Sequence, residues 1–197
     1  MRSLLFALLV LLLPRPAYAH LVSVRFGDFF GGALHVLSGL EHALVLLALG
    51  LLAGLQPREV GRWMLGAVPI GLALGGILAA AGFSTVSVQV AIVASLIVLG
   101  GLTAGHAKLP QTLLIALGLI AGALVGFENG LAMTERVTVT LFVAGVTVTG
   151  LVVVTPVTAA VATATDKANW AAIAVRSVAS WLTAVGLIMI ALVLRPH

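Results

Sequence analysis

Three ionisable side chains, His35, Glu41 and His42, fall within eight residues of one another in the otherwise apolar stretch Gly31–Gly50, GGALHVLSGLEHALVLLALG. An Asp, Lys or Arg at the centre of a membrane helix costs about 2.5–3.5 kcal/mol on insertion scales, so such groups in hydrocarbon mark function more often than packing. On a regular helix His35 and His42, seven apart, lie about 20° from alignment, with Ser38 close to the same stripe and Glu41 roughly a third of a turn away. Two imidazoles, a carboxylate and a hydroxyl suit a divalent transition metal. The competing reading is a polar plug hydrogen-bonded to neighbouring helices. Regular rise separates the two histidine α-carbons by about 10.5 Å, so both rings meet one ion only by leaning together or if Ser38-Gly39 loosens the turn.

A second polar group closes a later apolar block at Gly126-Phe-Glu-Asn-Gly-Leu-Ala-Met133. Glu128 and Asn129 there are expected to face the first motif across the bundle, giving a mixed nitrogen and oxygen site that suits Ni²⁺, Co²⁺ or Zn²⁺ better than Mg²⁺. The alternative for Glu128 is an interfacial carboxylate paired with Arg136. His106, beside Lys108 in a loop, is either solvated or an exit ligand. The threonines of the fifth apolar block, from Thr138 to Thr158, suggest hydrogen bonds between helices.

The elements that must position these groups follow from composition. Of 197 residues, 61% are hydrophobic and 8% charged, with a mean hydropathy of +1.25. Soluble domains carry about 25% charged residues, so the solvent for this chain is the lipid bilayer. The absence of cysteine excludes disulfides, thiolate metal sites and cysteine nucleophiles. A formal charge of +4, with the basic residues scattered between apolar blocks, gives no phosphate-binding face and no nucleic-acid partner. No Ser-His-Asp, His-Glu-x-x-His or phosphate-loop pattern is present, so an enzyme is not expected.

Residues 1–19 read as a cleavable signal peptide: Arg2 as the basic region, Leu4 to Leu13 as the apolar core, and Ala17-Tyr18-Ala19 as the cleavage site. Cleavage would leave His20 as the new N-terminus, where its amine and ring nitrogen either chelate a metal together or simply follow the cut. Residues 20–197 form a single domain. Six apolar blocks follow, at about Gly31–Leu55, Arg62–Gly82, Thr85–Ala104, Gln111–Glu128, Val137–Thr163 and Ala171–Leu194, each near the twenty residues a span needs. The expected fold is therefore an all-α integral membrane protein, a six-transmembrane-helix bundle. Gly71, Gly75 and Gly76 in the second block and Gly118, Gly122 and Gly126 in the fourth predict close helix packing, as does Gly66. Pro69 and Pro156 are candidate kinks.

A removed signal places the mature N-terminus outside. The loops assigned to the inner side then carry Arg58, Arg62, Lys108, Lys167 and Arg176, against Arg25, Arg136 and Arg195 outside, the bias that the positive-inside rule predicts. The first motif accordingly lies near the outer face.

A signal peptide ending just before a histidine, then His-x-x-Ser-Gly-x-acid-His at His35, Ser38, Gly39, Glu41 and His42, resembles the HupE/UreJ family of nickel and cobalt permeases. The likeness extends in outline over the six blocks to the closing segment from Arg176. It implies a secondary permease moving Ni²⁺ or Co²⁺ inward across the bacterial cytoplasmic membrane without ATP, with the metal as substrate and no resident cofactor. Glu41 stands where the family usually has Asp. The family's histidine-rich motif in the fourth helix, which ends in a carboxylate, corresponds here to Phe127-Glu128-Asn129-Gly130, which has no histidine.

The expected ligands are thus His20, His35, Glu41, His42 and Glu128, on a multi-pass protein of the inner membrane; the sequence assigns no oligomeric state. Two other classes remain open: a proton-coupled transporter of a non-metal substrate, and a non-transporting accessory membrane protein.

Overall fold

The computed structural model describes residues 27–85, 88–134 and 136–195; the expected signal peptide and His20 lie outside them. The described residues form helices α1 (Asp28–Ser38), α2 (Leu40–Gly54), α3 (Arg58–Ala80), α4 (Val88–Ala104), α5 (Gln111–Leu131), α6 (Val139–Lys167) and α7 (Asn169–Val193), without a strand among them. Four, α3, α5, α6 and α7, are long and apolar enough to cross a membrane. They make this a helical integral membrane protein. The helix α4, at 17 residues, rises only about 25 Å, less than the roughly 30 Å of hydrocarbon.

The first apolar block departs from expectation. It is not one helix over Gly31–Leu55 but two, α1 and α2, bent by 81°. Gly39 lies between them in an extended conformation (φ −78°, ψ 110°), which interrupts the helical ladder. Ser38 Oγ then bonds back to His35 O at 2.9 Å, and Gly39 accepts the first bond of α2 from Ala43 N at 3.1 Å. The two pieces together form at most a fifth, broken span.

The centre of the bundle is α2. Leu46, Leu49 and Leu52 are wholly buried, as are Met64, Val68 and Leu72 of α3, Ile92 and Leu96 of α4 and Leu114 of α5. Lipid tails are as apolar as leucine, so close packing must hold these helices together, and glycines permit it. Gly71 and Gly75 of α3 lie against the backbone of Leu119 and Ala123 on α5, while Gly122 and Gly126 of α5 lie against that of Val68 and Leu72. Gly50 and Gly54 seat α2 on Val157 and Val161 of α6, and Gly100 and Gly186 join α4 to α7. Gly66 does not belong to the seam, since a Cβ there would meet nothing within 4 Å.

Helix ends follow capping chemistry. After α3, Gly82 takes a left-handed conformation (φ 89°), with Gly82 N bonded to Ala79 O and Phe83 N to Leu78 O. The end of α4 repeats the motif, with His106 N to Thr103 O and Ala107 N to Leu102 O, but a histidine (φ 55°) occupies the position where glycine is usual. The threonines of α6 correct another expectation. Thr147 and Thr165 bond back within their own helix, whereas Thr158 alone among the described threonines of α6 reaches a second helix, at Gly50 O, 3.3 Å away. A hydroxyl can satisfy itself on the carbonyl four residues earlier, which removes the need for a partner helix.

Candidate metal centre

The break at Gly39 sets the start of α2, and Glu41 and His42 occupy its first turn. That is the end of a helix whose dipole favours an acidic side chain. Opposite them, the last turns of α5 carry Glu128 and Asn129. One ligand atom from each of Glu41, His42 and Glu128 lies within 4.8 Å of the other two. His42 Nε2 is 3.0 Å from Glu128 Oε2, joining α2 to α5. His42 is buried, and Glu41 and Glu128 are half-buried.

Behind the imidazole stands Asn129, fully buried, with Nδ2 3.3 Å from His42 Nδ1 and 2.8 Å from Val125 O. Its Oδ1 is buried without a hydrogen-bond partner. An unsatisfied buried acceptor costs about 1–3 kcal/mol, so this atom is an unusual feature of the site. On the same side of the ring lies Gly39, where a Cβ would collide with Nδ1. The missing side chain of Gly39 is what lets the ring fold back over the break.

Of the expected ligands, the structure brings together Glu41, His42 and Glu128. It sets His35 apart. The bend turns α1 away, and the His35 ring lies 6.3 Å from that of Phe142 on α6. The near-alignment of the two histidines required an unbroken helix. Glu128 pairs with His42, and Arg136 forms no ion pair with it among the described residues.

The far end of the bundle is built differently. A cavity of about 390 Å³ lies there, walled by Gln56, Arg58, His106, Lys108 and Asp166 among others. Arg58 pairs with Asp166, and Lys108 Nζ bonds to Leu55 O at 2.7 Å, at the end of α2. Gln56, buried in what the sequence marks only as a polar connection, donates to Ala107 O at 3.0 Å and accepts from Leu109 N at 3.1 Å. It ties α2 to the loop before α5. Burial holds the His106 imidazole below its ordinary pKa, and the charges of Lys108 and Arg176 add to the effect.

Between the two ends, the buried Leu46, Leu49 and Leu52 interpose about two turns of apolar helix. Fold and site together thus define a helical membrane protein that holds two carboxylates and an imidazole close together at one end. The family of HupE / UreJ proteins matches residues 8–189, and this chain belongs to it. Protein HupE of Rhizobium leguminosarum bv. viciae is 30% identical over 138 residues, covering 70% of this chain and 72% of that protein. No solved structure matches the chain.

Proposed function

We propose that this protein is a secondary permease for divalent transition-metal cations, Ni²⁺ or Co²⁺ first among them, in the bacterial cytoplasmic membrane. The carrying observation is the approach of Glu41, His42 and Glu128 to within 4.8 Å of one another across two helices. Two carboxylates balance the charge of a divalent ion, so a dehydrated ion there is held without net charge. The imidazole supplies the nitrogen that separates Ni²⁺, Co²⁺ and Zn²⁺ from Mg²⁺ and Ca²⁺. In this reading the broken first span and α4 both count as crossings, giving six spans with the mature N-terminus and the cluster at the outer face. His20 and His35 capture the ion ahead of the cluster. The apolar stretch at Leu46 and Leu49 closes the inward route until α2 shifts against its neighbours, and the cavity at Arg58 and Asp166 receives the ion on release.

Uptake into proteoliposomes tests this directly. Ni²⁺ or Co²⁺ should accumulate with the wild type and fail to do so with Glu128→Gln. Equal accumulation by the two would refute the assignment. A second reading follows from the His42–Glu128 contact at 3.0 Å, which is also a proton-relay geometry. Transport that tracks the proton gradient but ignores chelators would favour a proton-coupled carrier of another substrate.

A further inference from the structure

Asn129 is fixed from one side and disposes the imidazole on the other. Val125 O can only accept, so its 2.8 Å contact sets the amide with Nδ2 toward both the carbonyl and His42 Nδ1. A half-turn of the amide would place Oδ1 against that carbonyl oxygen instead. Nδ1 faces a donor and must therefore accept. A neutral imidazole has a single N–H, which then lies on Nε2, 3.0 Å from the accepting Oε2 of Glu128. The partners on the two sides of the ring call for the same tautomer.

Nε2 is also the nitrogen that faces the ligand cluster, because Asn129 and the α-carbon of Gly39 enclose Nδ1. A cation shared by His42 and Glu128 must take the lone pair of Nε2, and the ring proton must then reside on Nδ1, facing an N–H. Metal-binding histidines ordinarily have an acceptor behind them: a carboxylate, a carbonyl or a water. Here the resting arrangement presents a donor, and the one available acceptor, Oδ1, is buried without a partner.

We propose that Asn129 is a positioning residue that weakens cation binding, by holding His42 in the tautomer whose proton occupies the ion-facing nitrogen. This rests on the cation reading above and adds to it a reason for easy release. On loading, Glu128 Oε2 takes the Nε2 proton and passes it to water, and as the amide turns aside a proton from water reaches Nδ1, so the ring's charge and the carboxylate are both unchanged at the end. The amide turns so that Oδ1 accepts from Nδ1–H, and the bond to Val125 O is given up. When the ion departs that bond re-forms and the ring returns to its first tautomer. The unpartnered oxygen is the acceptor that the loaded state uses.

Ring-nitrogen NMR of the full-length protein, ¹⁵N-labelled at histidine and free of divalent ions, should report a proton on Nε2 and none on Nδ1 of His42. Asn129→Asp, which replaces the donor by an acceptor, should put a proton on Nδ1. Asn129→Ser, whose hydroxyl can turn to accept, should tighten Ni²⁺ binding about fivefold by calorimetry without adding charge. A proton on Nδ1 in the wild type overturns the proposal, as does unchanged or weaker Ni²⁺ binding by a folded Asn129→Ser protein. Should the serine variant not fold, the spectrum of Asn129→Asp decides, and a bare Nδ1 there counts against the proposal. A wild type that binds no Ni²⁺, Co²⁺ or Zn²⁺ sinks the cation reading itself, whichever tautomer the spectrum reports.

Discussion

His42 Nε2 and Glu128 Oε2 meet at 3.0 Å although 86 positions separate them in the chain. The contact joins the first turn of α2 to the last turns of α5. Polar contacts between membrane helices contribute only about 0.6 kcal/mol on average and at most about 1.7. Glu128→Gln, which keeps the shape and can still hydrogen-bond, should therefore leave thermal unfolding in detergent nearly unchanged. Divalent-ion affinity should fall at least tenfold. A large loss of stability with affinity retained would make the pair a packing device.

Gly39→Ala should act on the same site from behind. The added methyl collides with the His42 ring, and alanine favours by about 1 kcal/mol the helical conformation that Gly39 refuses. The expected result is a straighter α1–α2 junction, a displaced imidazole and at least tenfold weaker cation binding. Spin labels at the exposed Phe30 and Leu78 would report the straightening as a changed distance. Wild-type affinity in this variant would show that the ring does not need the bare α-carbon.

The glycines of α3 and α5 should separate sharply by position. At Gly122 a Cβ would lie 2.6 Å from Val68 O, a backbone atom that cannot move aside cheaply. Gly122→Ala should cost about 1–3 kcal/mol, the usual penalty for overpacking. Gly66→Ala meets nothing and should be neutral or stabilising by up to about 1 kcal/mol. Unfolding midpoints in one detergent decide it, and equal effects at the two positions would contradict the seam.

His106 makes two measurable demands. It occupies a left-handed position, so His106→Gly should gain about 1 kcal/mol at pH 8. Its pKa is depressed in the folded protein, first by burial and then by Lys108 and Arg176, so the unfolded chain takes up the proton more readily. The wild type must therefore lose stability as pH falls below about 6.5 toward the lower folded value. The advantage of His106→Gly should widen between pH 8 and pH 5. A constant gap would mean that the ring titrates alike in both states.

Much of this architecture is legible in composition and spacing. Apolar blocks locate the helices to within a few residues, as with Val137–Thr163 against the observed Val139–Lys167. The glycines that recur on α3 and α5 foretell their seam, and Glu128 and Asn129 are seen to belong opposite the first motif. What could not be read is the break at Gly39. A single glycine inside an apolar run costs only about 1 kcal/mol relative to alanine, too little to announce a bend of 81°. Because the angular relation of His35 to His42 depends on an unbroken helix, that one residue separates a partner from the cluster. Gln56 and the Arg58–Asp166 pair were hidden for another reason: their partners lie in loops and helix ends whose meeting only the tertiary fold decides.

The buried leucines of α2 carry a consequence for the cell as a whole. Leu46, Leu49 and Leu52, fully enclosed by neighbouring helices, stand between the carboxylates and the far cavity. A bilayer containing this protein should stay electrically tight while the protein idles. In the permease reading proposed above, an ion would cross only as those leucines part.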